Sequence, residues 1–106
     1  DFSGVVEEVE EGDLIAEALG DKKVIILQNH GILTTGPSVD IALWFYTSME
    51  RCCQAQLMAE AAGNPIIIPH ETAVKTREYI SNDIAAWASF QPAFDMIVKK
   101  EPDLLD

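Results

Sequence analysis

Two short apolar runs constrain this chain more than any other feature. KVIILQ and ILTTG are separated only by Asn29, His30 and Gly31. Both runs carry the β-branched and aliphatic residues that suit strands, and Asn and Gly tolerate the positive φ of a tight reversal. The spacing predicts a hairpin with His30 at its end, where many α/β and α+β domains hold their sites. Val24, Ile25, Ile26 and Leu27 show no polar alternation, which predicts that both faces of the first strand are covered.

The flanking segments read as helices. In EGDLIAEALGDKK, Leu14, Ile15, Ala18 and Leu19 recur at helical spacing, Gly12 or Asp13 can start the helix, and Gly20 is placed to end it in a left-handed conformation. Upstream, SGVVEEVEEG starts like a strand and ends in acid. The longest helix is predicted from Ser38, a good N-cap, to Gly63, Asn64 and Pro65, which end it. Asp40 stands in its first turn, where the helix dipole favours an anion. Ala42, Phe45, Met49, Cys53, Leu57 and Ala61 form a stripe at steps of three and four. Apolar residues around Trp44 and Tyr46 widen that stripe, so the helix should pack on the sheet and on something else. IIIP is a brief extended piece between Pro65 and Pro69. HETAVKTREYISN and DIAAWASFQPAFDMIVKK read as two further helices, with Pro92 a break or a first-turn residue.

Composition narrows function by exclusion. Seven basic against 18 acidic residues give a net charge of -11. Such a surface repels phosphate backbones and anionic lipid, so no nucleic-acid partner and no membrane partner is expected. No apolar run approaches the ~20 residues needed to span a bilayer. With 48% hydrophobic residues the chain has material for a core. The two cysteines, Cys52 and Cys53, are adjacent on a predicted helix and point about 100° apart. Without a disulfide framework, a reducing, cytoplasmic setting is expected. The chain begins at Asp1 without an initiator methionine, and it is expected to be an excerpt of a longer domain.

The chemistry then centres on His30. A histidine at a strand end beside a glycine suits a metal ligand or a proton shuttle; a turn histidine bonded to backbone is the commoner arrangement. A catalytic zinc needs about three protein ligands. His70, Cys52 and Cys53 are the other soft donors, and none stands at ligand spacing from His30. The remaining candidates have simpler readings. Gly36 to Ser38 offers N–H groups to an anion or, more simply, a helix cap. Cys52 or Cys53 with His30 forms a nucleophile pair or, more simply, the cysteines are inert core buried in the helix. Glu7, Glu8, Glu10 and Glu11 form a cation site or a solvated charge run. Glu50 and Arg51 are most simply surface or interface charges.

The ordered set IAEALGDKKVIILQNHGILTTGPSVDIALWFYTSMERCCQAQLMAEAAG, residues 15–63, resembles the class II aldolase/adducin family. It carries the ALG helix end, the aliphatic strand, NHG, a short strand closing on Gly36, and the long helix with early aromatics and a late AQL. Residues 1–63 hold the resemblance. Residues 64–106 form a helical tail similar to the adducin-like branch with its fungal members.

The resemblance implies an α/β fold, layered α/β/α around a mainly antiparallel sheet, of which this chain is the C-terminal portion. It also implies a divalent metal, usually zinc, on three histidines: two from an H-x-H in the other half of the domain, the third being His30. In such enzymes the metal polarises the oxygens of a ketose phosphate. The H-x-H, the acidic residue used in proton transfer and the phosphate loop are not among these 106 residues. The expected function is therefore a share of a metal-dependent aldolase-like lyase or epimerase acting on a small hydroxylated carbonyl or sugar-phosphate compound, with this chain inactive alone. A non-catalytic, adducin-like oligomerisation module is the alternative. Expected partners are further copies, a tetramer by resemblance, or the missing N-terminal half, whose absence would leave a sheet edge open to pairing.

Overall fold

A computed structural model describes residues 9–106, and the predicted strand in SGVVEEVEEG lies outside them. Helix α1 (Val9–Leu19) leads to strand β1 (Val24–Leu27), a turn and strand β2 (Gly31–Thr34). Three helices follow: α2 (Val39–Ala62), α3 (His70–Ile80) and α4 (Asp83–Lys100), then a 3-10 turn at Pro102–Leu105. The strands pair antiparallel in the register Val24↔Thr34, Ile25↔Leu33, Ile26↔Ile32 and Leu27↔Gly31. Helix α2 packs on this hairpin and on α4, and α3 meets the chain through α4.

Local signals behave as their chemistry requires. Gly20 adopts φ +56 and its N–H donates to Ala16 O at 2.9 Å, closing α1. Ser38 is extended (φ -144, ψ 163) and its Oγ accepts from Ile41 N at 3.5 Å. Gly63, at φ 155, donates to Ala59 O and Glu60 O at the far end of α2. Helix α1 starts at Val9, ahead of Gly12 and Asp13.

Two sequence expectations are corrected. Pro92 neither breaks nor starts a helix, because α4 runs through it from Asp83 to Lys100. The helix begins instead at Asn82, whose side-chain oxygen accepts from Ala85 N at 2.7 Å. The second correction concerns β1. Ile26 is 59% exposed, because the described sheet has two strands and α2 covers one face of it.

That openness extends over the molecule. Among the described residues only Ile41 and Ala86 are buried. The accessible surface is 8811 Å², against roughly 5,900 Å² for a folded monomer of this mass. The radius of gyration is 16.6 Å, against about 13 Å for a compact domain of this length. The apolar stripe on α2 is half-buried from Ala42 to Cys53, whereas Leu57 and Met58 at its far end are exposed. Ile66, Ile67 and Ile68 form no strand and lie in solvent.

Candidate functional site

His30 stands in the turn between β1 and β2. Its backbone N–H donates to Leu27 O at 3.2 Å, closing a four-residue turn over residues 27–30. Asn29 takes the third position with φ 55, the place where a type II turn requires positive φ. Gly31 already belongs to β2, opposite Leu27. Of the two residues able to adopt positive φ, the asparagine thus makes the reversal. A Cβ at Gly31 would meet nothing within 4 Å, so the space beside His30 is open. The imidazole is exposed, and no other described residue is bonded to its ring.

The hairpin is held on α2 by a close approach. Thr34 Oγ1 donates to Ala42 O at 2.8 Å, and a Cβ at Gly36 would lie 2.9 Å from Ile41 Cγ2 and 3.0 Å from Ala42 N. Ile41, 7% exposed, is clamped there. The join between β2 and the first turn of α2 therefore anchors the hairpin at the end opposite His30. Gln91 Nε2 donates to Asp40 Oδ2 at 3.3 Å and ties that turn to α4.

The other candidates are dispersed. His70 opens α3 and is exposed; Cys52 is exposed and Cys53 half-buried, both free. Glu7 and Glu8 lie outside the described residues. Gly36 and Ser38 act as packing glycine and helix cap. No three His, Cys, Asp or Glu side chains gather into a metal-binding group among the described residues. His30 fits a divalent metal as a single corner: its nitrogens are borderline donors on an exposed ring in open space.

One site escaped sequence reasoning. A cleft of ≈ 680 Å³ opens between the start of β1, α2 and the end of α3, lined by Lys22, Lys23, Trp44, Phe45, Arg77 and Ile80 among others. Lys23 pairs with Asp83, donates to Ser81 O at 2.8 Å and lies 4.8 Å from the Phe45 ring centroid. Lysine flanking the strand was visible in DKK; nothing in the spacing linked it to Arg77, more than fifty positions away.

The family model described as Class II Aldolase and Adducin N-terminal domain matches residues 3–57. The chain is 39% identical over 104 residues to Decarboxylase NovR of Streptomyces niveus, covering 98% of this chain and 38% of that protein. It is 39% identical over 67 residues to Alpha-adducin of Rattus norvegicus, covering 61% of this chain and 9% of that protein. The solved structure of L-fuculose 1-phosphate aldolase from Glaciozyma antarctica PI12 superposes with TM-score 0.83 at 36% identity, covering 93% of this chain and 39% of that one. The chain thus spans under two fifths of each of these relatives. No described helix is long and apolar enough to cross a membrane.

Proposed function

The chain belongs to the class II aldolase and adducin family, and from that premise we propose that residues 1–106 are the C-terminal portion of a metal-dependent, class II aldolase-like lyase or epimerase, to which they contribute the metal ligand His30. One observation carries this reading: the turn at Leu27–Asn29 presents an exposed imidazole with an unengaged ring at the end of a hairpin anchored on α2. A divalent metal, zinc first, would supply Lewis-acid polarisation of a substrate oxygen. This chain's residues hold the ligand: Asn29 sets the turn, Gly31 leaves room beside the ring, and Gly36 fixes the hairpin to α2.

The remaining ligands and the proton-transfer group come from outside the described residues, so these residues alone are inactive. A small hydroxylated carbonyl or sugar-phosphate substrate suits the likeness to the L-fuculose 1-phosphate aldolase. The likeness to a decarboxylase suits the same reaction class, since aldol cleavage and decarboxylation both break a C–C bond beside a carbonyl. The enzyme works in the cytoplasm as a homo-oligomer, a tetramer by family likeness.

Metal analysis of the full-length protein tests this. Zinc or manganese should bind stoichiometrically at micromolar concentration, and His30→Ala should weaken binding by at least tenfold with unchanged circular dichroism. Unchanged metal content in His30→Ala overturns the assignment.

The identity to Alpha-adducin and the exposed apolar surface favour a second reading, a non-catalytic oligomerisation module. An H-x-H upstream of His30 in the full-length sequence selects the enzyme. Its absence, together with a metal-free oligomer in light scattering, selects the module.

A further inference from the structure

We propose that the cleft between β1, α2 and α3 is a binding site for a small organic anion: a carboxylate head on an aromatic or aliphatic body. It lies away from His30. Lys23 and Val24 stand at one end of β1, and His30 follows the other end; four residues of strand separate the two ends by about 10 Å.

The lining matches such a ligand in two parts. Trp44, Phe45 and Ile80 supply flat and aliphatic walls, and Lys22, Lys23 and Arg77 supply positive charge against one lining carboxylate, Asp21. The charge is notable in a chain of net -11 with seven basic residues, three of which line this one cleft. The cations are not equivalent. Lys23 is engaged by Asp83, Ser81 O and the Phe45 ring, so it shapes the wall. Lys22 has only Asp21, at 3.8 Å and with side-chain exposures of 70% and 98%, a pairing worth little in water. The guanidinium of Arg77 has no ion-pair or hydrogen-bond partner among the described residues. Arg77 is therefore the anion's anchor, through the planar fork that grips a carboxylate with two parallel bonds.

The same charge argues that the cleft stays open in the longer protein. A protein surface closing over Arg77 would have to bring a carboxylate or leave a cation buried and unpaired. The exposed isoleucines at Ile66, Ile67 and Ile68 carry no such charge and are the better surface for burial.

Calorimetric titration of the full-length protein with 3-phenylpropionate tests the proposal. Binding should saturate with one site per chain. 3-Phenylpropanol, which lacks the charge, and inorganic phosphate, which lacks the body, should each bind at least tenfold more weakly. Arg77→Gln should lose at least tenfold in affinity and Arg77→Lys distinctly less; Trp44→Phe should abolish ligand-induced fluorescence change assigned to the wall. His30→Ala should leave this affinity unchanged, which separates the site from the metal corner. Absence of saturable binding, equal binding by Arg77→Gln, or phosphate binding as tightly as 3-phenylpropionate overturns it.

Discussion

Lys23 and Asp83, 60 positions apart, form an ion pair that joins the start of β1 to the start of α4. The lysine also donates to Ser81 O at 2.8 Å and lies over the Phe45 ring. One ammonium thus meets the hairpin, α2 and the α3–α4 junction. With side-chain exposures of 34% and 46% the pair is solvent-screened, so the stacking and the carbonyl bond matter as much as the charge. Lys23→Ala should destabilise the full-length protein by about 1–2 kcal/mol, and Asp83→Asn by about 0.5 kcal/mol. Urea unfolding monitored by circular dichroism checks both; equal losses would mean that the ion pair alone carries the contact.

Gly36 should tolerate no side chain. Its Cβ would press on Ile41 Cγ2 at 2.9 Å and on Ala42 N at 3.0 Å, and a backbone nitrogen cannot swing aside. Gly36→Ala should cost about 1–3 kcal/mol in chemical denaturation. Gly31→Ala, with nothing within 4 Å, should cost under about 1 kcal/mol.

Asn29 sits at φ 55, a conformation costing most side chains roughly 1–2 kcal/mol. Asn29→Val should destabilise by about that amount and displace His30, lowering metal affinity of the full-length protein with the histidine intact. Asn29→Gly should retain both stability and metal. Unaltered metal binding in Asn29→Val would show that the turn does not position the ring.

Pro92 lies inside α4 and, lacking an N–H, cannot donate to the carbonyl one turn back, that of Ala88. Since it is exposed, replacement should not open a core cavity. Pro92→Ala should therefore raise stability by about 1–3 kcal/mol, seen as a higher Tm. A lowered Tm would mean that the proline shapes a contact of the intact protein.

The exposed apolar surface predicts that the 106-residue chain, expressed alone, self-associates. Sedimentation should show concentration-dependent oligomers or aggregates, and Ile67→Glu should reduce them, since Ile67 is 87% exposed. A monodisperse monomer with cooperative unfolding would contradict this.

Within the sequence, the legible features were those whose physics acts inside a turn or two. Gly20, Ser38 and Gly63 set helix ends because each satisfies or frees backbone groups within four residues. The reversal at Asn29 and the strands around it were legible for the same reason, as was His30 at their end. Resemblance supplied the family, and the match over residues 3–57 bears it out. Pro92 departs from its local reading because a long amphipathic helix packed on α2 tolerates one missing hydrogen bond, an outcome set by packing rather than propensity. The exposed face of β1, the Lys23–Asp83 pair and the placing of Arg77 in one cleft with Lys22 and Trp44 were decided only in three dimensions. Each depends on where separated elements come to rest, and no local periodicity encodes a contact between residues fifty or sixty positions apart.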